Sequence, residues 1–279
     1  MEILDSHISN KGKDYRPLIY CWRGGQRSRS LATILSEIGF DVFVLQGGYK
    51  TYRKQVVDDL QTLPEKYSYR VITGLTGSGK THILTKLSQF GEQVLDLEGL
   101  AKHKGSMLGG FPEEDQPSNK YFWTLIREKL ASFDPSKSVW IESESRTIGK
   151  CLIPDVLFNK MSHAKRFSIQ LPMKERVKHI IKEYPHWLED SEALNKVLDY
   201  LRKHCGHSKV DHWQSLVEKR DWENFVENLL IHHYDPTYTL SQRKNQLTDD
   251  VIKLEIPNLN EESLHKLVEE LITSQNNYS

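Results

Sequence analysis

The chain of 279 residues carries 38 basic and 38 acidic side chains, a formal net charge of zero, and 38% of its residues are hydrophobic. These values exclude a disordered or fibrous chain and leave a globular protein with length for about two domains. No apolar run approaches the roughly 18 residues of a spanning helix, and Met1 to Asp5 lacks the basic-then-apolar order of a secretory signal, so a cytoplasmic protein with no membrane contact is expected.

In chain order, residues 17–22 (Pro-Leu-Ile-Tyr-Cys-Trp) read as a short buried strand that ends in a loop rich in glycine and charge. Leu31, Ile34, Leu35 and Ile38 recur at helical spacing, with Gly39 placed as the C-terminal stop. Residues 41–45 read as a second strand closed by Gly47 and Gly48, and a helix from about Thr51 to Leu63 leads to Pro64. Strands alternating with helices imply a parallel sheet, though two strands are few for independent stability.

A second unit starts near Tyr69. Residues 70–73 read as a strand, followed by Gly74-Leu-Thr-Gly-Ser-Gly-Lys-Thr81 and a helix to Gly91. Further strands are expected at 93–97, 138–141, 167–171 and 251–256, and a helical insertion without strand signals at about 173–235. The expected fold is α/β, a P-loop parallel sheet (67–279) preceded by a smaller α/β unit (1–66).

Residues 74–81 match GxxxxGK[ST] between strand and helix, the context that motif requires. Gly74, Gly77 and Gly79, with Ser78, let backbone N–H groups turn toward phosphate oxygens. Lys80 supplies a point charge, and the Thr81 hydroxyl can reach Mg²⁺. A nucleotide or another phosphate compound is the expected ligand. Glu142, ending the apolar run 139–141, stands where a P-loop protein places a metal-directed carboxylate; Asp96 and Glu144 are alternatives, and each also reads as a solvated or capping carboxylate.

The three cysteines, Cys21, Cys151 and Cys205, are an odd number with no CxxC pair, which argues against a disulfide framework or a structural zinc site. Cys21-Trp-Arg-Gly-Gly-Gln-Arg-Ser28 sets a thiol between a strand end and a helix start. There Gly24 and Gly25 can form a nest of N–H groups ending at Ser28, and Arg23, Arg27 and the helix dipole would lower the thiol pKa. A thiolate in an anion cradle suits taking sulfur or selenium from an anionic donor, and equally suits phosphate ester cleavage.

Together the two motifs resemble the tRNA 2-selenouridine synthase family. Tyr20 to Ser28 with Leu45 to Lys50 is similar to the second half of its rhodanese domain. Residues 74–81, 95–100, 103–109, 139–149 and 233–238 resemble its P-loop domain, so the resemblance runs from about residue 17 to the end. Common rhodaneses have one residue fewer between Cys and Arg. The wider spacing from Cys21 to Arg27 also resembles dual-specificity phosphatases, but Tyr20 stands where their histidine precedes the cysteine.

The resemblance implies replacement of sulfur by selenium in the wobble 2-thiouridine of tRNA. Selenophosphate is then the donor, and geranyl diphosphate the source of an S-geranyl intermediate. Cys21 is then the essential thiol and Gly74 to Thr81 the phosphate site. A complete rhodanese domain has roughly another half before Pro17, so an incomplete unit with exposed sheet edges is expected, docked on the P-loop domain, completed by a separate chain, or of reduced activity. A P-loop kinase, or a non-catalytic remnant that binds tRNA or nucleotide, are the competing readings.

Weaker signals complete the sequence. His179, His186, His204, His207, His212, His232 and His233 fit no usual zinc spacing and read as scattered surface residues. Trp213, Trp222, Tyr234 and Tyr238 read as core of the insertion, or as platforms for unpaired bases. Lys174, Arg176, Lys178 and Lys182 read as a phosphate clamp or a solvated helix face. Neutral net charge does not exclude an RNA substrate, because residues 11–54 carry +6 and residues 245–279 carry −5.

Overall fold

The structure is a computed structural model that describes residues 8, 11–12, 14–106, 108–110, 114–245 and 250–276. Lys13, one of the basic residues behind the +6 charge, lies outside the described residues. The chain divides into two units, Met1–Gln61 and Thr62–Ser279. No helix among the described residues is long and apolar enough to cross a membrane.

The first unit runs β1 (Leu18–Ile19), α1 (Gln26–Ile38), β2 (Phe43–Val44) and α2 (Gly48–Thr62). The strands pair in parallel, Leu18 beside Phe43 and Ile19 beside Val44. Helix α1 ends at Gly39, whose left-handed backbone lets its N–H reach the carbonyls of Leu35 and Ser36. The expected order is present, but the strands are shorter than expected and largely open. Ile19 is buried, whereas Leu18, Phe43 and Val44 are exposed. A sheet of two strands leaves each strand an unpaired edge, which is why only Pro17 and Ile19 are buried in the strand expected at 17–22.

The second unit is built on a five-stranded sheet, all parallel, in the order β4 (Gln93–Leu95), β5 (Val139–Glu142), β3 (Tyr69–Thr73), β8 (Lys165–Gln170), β9 (Val251–Glu255). Its inner strands are largely buried because helices cover both faces, with Val71, Ile72, Trp140, Ile141, Phe167 and Ile169 inside. Ile72, Trp140, Phe167 and Ile169 form one core with Ile83, Leu84 and Leu87 of α3 (Lys80–Gln89) and Leu267, Val268 and Leu271 of α13 (Glu261–Asn276). From β3 the chain first builds to one side, through β4 and β5, and later to the other, through β8 and β9. That reversal opens a crevice at the carboxyl end of β3, where open parallel sheets bind ligands.

Between the sheet strands lie α4 (Leu97–Ala101), α5 (Asn119–Ala131), a hairpin of β6 (Thr147–Ile148) and β7 (Cys151–Leu152), and α6 (Asp155–Ser162). The insertion follows β8 as α7 (Met173–Glu183), α8 (Pro185–Glu189), α9 (Ser191–Cys205), α10 (His207–Glu218), α11 (Trp222–Leu229), a π-helical turn (Leu230–Tyr234) and α12 (Asp235–Asn245). It has its own core, with Leu194, Leu198, Val210, Trp213, Phe225 and Leu229. Trp213 is therefore a core residue, while Tyr234 and Tyr238 line the cavity described next.

Candidate functional site

The crevice at the end of β3 is a cavity of about 730 Å³. The loop 74–79 forms its floor. Gly79 caps α3 with a left-handed backbone (φ 77°), the conformation that favours glycine there. The Ser78 hydroxyl is buried without a hydrogen-bond partner among the described residues. Lys80 donates to the Gly74 carbonyl at 3.4 Å, and its ammonium lies 5.6 Å from the centre of the Tyr238 ring. Burial opposes the Lys80 charge, but Tyr238, Glu98, Glu144 and Glu142 outweigh it and hold the pKa above the ordinary lysine value.

The acidic candidates occupy different places. Glu142 is buried beneath the cavity; its Oε1 accepts the Glu98 N–H at 2.7 Å, and its Oε2 has no partner among the described residues. Burial, with Asp96 and Glu98 nearby, pushes its pKa well above the carboxylate range. Glu144 lines the cavity and is raised likewise, by burial and then by Glu98. Asp96 instead caps α4, accepting the Gly99 N–H at 2.7 Å, and does not line the cavity. Thr81 donates to Glu98 at 3.3 Å. The Thr81 and Glu98 oxygens thus meet beside the phosphate loop, and Glu142, which accepts the Glu98 N–H but does not itself line the cavity, keeps an unpartnered oxygen of the kind a hard divalent cation takes.

Two ties come from the insertion and its C-terminal helix. The Arg176 guanidinium, 4% exposed, donates from Nε to the Thr76 carbonyl at 2.8 Å and pairs with Asp235 through two bonds of 3.0 and 2.5 Å. Of the four basic residues on α7 weighed as a clamp, it is the one that reaches the loop; Lys178 pairs with Glu175 on the surface. The Tyr238 hydroxyl meets the Thr73 hydroxyl at 3.0 Å and accepts the Gly74 N–H at 3.2 Å.

The Cys21 loop is a second strand–loop–helix turn. Gly24 is left-handed (φ 61°), and a Cβ on it would collide with the backbone of Leu45, Gly47 and Gly48, which explains why glycines occur in both segments. Cys21 Sγ lies 3.3 Å from the Ser28 hydroxyl and accepts the Gly25 N–H at 3.2 Å. The Ser28 hydrogen bond lowers the thiol pKa to about 6; burial opposes it, and the amides of Gly25, Ser28 and Arg23 add to it. The arginine side chains expected to lower it are not among the causes. Elsewhere, burial pushes the Cys151 and Cys205 thiols up, so Cys21 is the cysteine poised as thiolate.

A family model described as the tRNA 2-selenouridine synthase AAA domain matches residues 67–255, which hold the whole cavity. The chain belongs to the tRNA 2-selenouridine synthase family. A relative named tRNA 2-selenouridine synthase from Aeromonas salmonicida (strain A449) is 37% identical over 265 residues, covering 85% of this chain and 70% of that protein. One of the same name from Marinobacter nauticus (strain ATCC 700491 / DSM 11845 / VT8) is 28% identical over 261 residues, covering 82% and 69%. Among solved structures, a gluconokinase from Sinorhizobium meliloti 1021 covers 74% of this chain and 97% of its own at 12% identity and a TM-score of 0.26, too distant to bear on the reading.

Within this synthase-family chain, the residues that sequence reasoning missed are Glu98, Arg166 and Asp235. Arg166 is buried on β8 and donates to the Ser143 hydroxyl at 3.2 Å beside the cavity. Glu98 and Asp235 lie inside the stretches 95–100 and 233–238 that carry the resemblance, so those stretches were a usable signal. Arg166 had none.

Proposed function

We propose that this chain replaces sulfur by selenium in the wobble 2-thiouridine of tRNA, with selenophosphate as donor and an S-geranyl intermediate made from geranyl diphosphate. What carries the reading is one observation: a single chain of this family holds both a thiol lowered to about 6 in a cradle of amides and a phosphate loop opening on a large cavity.

The chemistry needs both. A thiocarbonyl sulfur is a poor leaving group; alkylating it while diphosphate departs makes it a good one, and the departing charge needs a preorganised cradle. Gly74 to Thr81, with Lys80, serve that diphosphate. Mg²⁺ would be held by Thr81, Glu98 and Glu142 and would supply charge neutralisation to it. Cys21, as thiolate, meets selenium of the anionic donor, with Gly24, Gly25 and Ser28 orienting the thiol and Arg23 and Arg27 raising the local anion concentration. The exposed Leu18, Phe43 and Val44 favour completion of the first unit by a separate chain with a matching half.

The test is nucleoside mass spectrometry after incubating the chain with thiolated tRNA, geranyl diphosphate and selenophosphate. Geranylated and selenated uridine are expected, the second rising when a first-half rhodanese chain is added. If neither mass forms under either condition, the proposal fails.

A further inference from the structure

One wall of the cavity carries side chains that the proposed function leaves without a task. His82 follows Thr81 on α3, and His179 and Glu183 lie four residues apart on α7, a spacing that sets both on one helix face. One ligand atom from each lies within 4.8 Å of the others. The two imidazole rings meet edge to face with centres 4.9 Å apart, and His82 Nε2 is 3.8 Å from Glu183 Oε1. Lys104 takes the other oxygen of that carboxylate, donating to Oε2 at 2.8 Å and to the Glu183 carbonyl at 3.1 Å, which leaves Oε1 turned toward the histidines.

Two features distinguish this group from an ordinary polar cluster. Among the described residues neither imidazole makes a hydrogen bond within 3.5 Å; His82 has only the longer contact to Glu183, so ring nitrogens are left for a ligand. The three side chains also line the cavity itself, on the side of the phosphate loop where α3 begins.

We propose that His82, His179 and Glu183 form a binding site for a divalent transition metal of the zinc class, with its fourth position open to the cavity. Two imidazoles and one carboxylate suit zinc, cobalt or nickel, whereas magnesium selects oxygen, so this site is distinct from the oxygen cluster at Thr81, Glu98 and Glu142. Three protein ligands with one open position is the arrangement of zinc sites that meet a substrate. Bonds of about 2.0–2.1 Å place tetrahedral ligand atoms roughly 3.4 Å apart, so side-chain rotations of about 1 Å close the site. Lys104 is the outer partner that holds the carboxylate in place. The metal site stands on these residues alone and does not depend on the proposed reaction.

The experiment is zinc titration of the metal-stripped full chain against a chromogenic chelator, paired with visible absorption of the cobalt-loaded protein. One tight equivalent is expected in the wild type. His82→Ala, His179→Ala and Glu183→Gln should each weaken it by more than the roughly 10- to 100-fold that loss of an outer-shell partner costs, and the cobalt bands should change with each. His265→Ala, which removes an exposed histidine paired with Glu269 on α13, should leave both readouts unchanged. Lys80→Ala should also keep its zinc, which separates this site from a failure of the phosphate chemistry. Glu183→Gln keeps shape and volume, so it tests the site even where an alanine variant folds poorly. Absence of stoichiometric zinc in the wild type, or wild-type zinc affinity in folded Glu183→Gln and either histidine variant, overturns the proposal.

Discussion

The two strand–loop–helix turns of this chain use the same backbone device for opposite ends. In both, a parallel strand stops at a glycine-rich loop, left-handed glycines bring backbone segments close, and a helix begins with its N–H groups toward the loop. At residues 74–81 the loop sits under a five-stranded sheet's crevice, and its cation, Lys80, is surrounded by Glu98, Glu142, Glu144 and Tyr238. At residues 21–28 the strand belongs to a sheet of two, and the side chain the loop holds is a thiol whose anion is stabilised from within its own loop. A helix start and a nest of amides favour an anion; whether that anion is a bound phosphate or the protein's own sulfur depends on which side chain the loop contributes.

The largest effects should come from removing those side chains, and they should separate. Cys21→Ser is expected to reduce selenated uridine at least about 1,000-fold, the scale of losing a nucleophile, while geranylated uridine still forms. Lys80→Ala is expected to lower geranylated uridine by roughly 10²- to 10³-fold, as loss of a preorganised charge does, and selenated uridine with it. Nucleoside masses from one incubation report both. Equal loss of both products in the cysteine variant would show that the turns do not divide the work.

Next in size is the tie that distinguishes the phosphate loop from the cysteine loop. Arg176 is buried against Thr76 and paired with Asp235. Asp235→Asn leaves that guanidinium uncompensated and is expected to cost about 3–5 kcal/mol in denaturant unfolding. The Cys21 loop is instead tied within its own unit by backbone bonds, the Tyr49 and Lys50 N–H groups donating to the Cys21 and Trp22 carbonyls at 2.9 Å each, beside the local bonds from Ser28 to Gly25 and from Gly25 to Cys21. Denaturation followed by a probe in each unit should therefore move only the transition of the second.

How much of this could be read from residues alone follows the same division. The phosphate loop was legible because its chemistry is compressed into eight consecutive positions with a strand before and a helix after. So was the Cys21 turn, and so were the five sheet strands, each short and carrying at least two apolar residues. What closes the cavity was not. The Tyr238 hydroxyl meets Gly74 across 164 positions, and Arg176 meets Thr76 across 100; no local pattern encodes such pairings. Asp96 and Glu142 looked alike at strand ends, and only the geometry makes one a helix cap and the other a buried carboxylate. The late histidines were judged on spacing among themselves, which hid the approach of His179 to His82.

Ser28 offers a smaller perturbation, directed at the cause of the lowered thiol. Because the Cys21 pKa is depressed, the thiolate dominates above pH 6 and is lost as pH falls through that value. Alkylation by iodoacetamide should therefore rise with pH around a midpoint near 6. Ser28→Ala removes the first cause and should move the midpoint toward the free-cysteine value of about 8.5, slowing reaction at pH 6 by up to roughly a hundredfold. Arg27→Ala should leave the midpoint in place, since its guanidinium is not among the causes. A midpoint that follows Arg27 and ignores Ser28 would restore the expectation drawn from sequence.

The smallest change tests whether the phosphate loop also borrows local stabilisation. The Tyr238 hydroxyl accepts the Gly74 N–H at the start of the loop, while its ring lies near Lys80. Tyr238→Phe keeps the ring and removes the hydroxyl's bonds to Thr73 and Gly74, so unfolding should cost about 2 kcal/mol less. Binding of inorganic pyrophosphate should change by under about fivefold, because neither Thr73 nor Gly74 lines the cavity. If tRNA affinity collapses while pyrophosphate affinity and stability hold, the hydroxyl meets the RNA rather than the loop. Stability lost without change in either affinity would make Tyr238 a brace for Gly74, the counterpart of Ser28 in the cysteine loop.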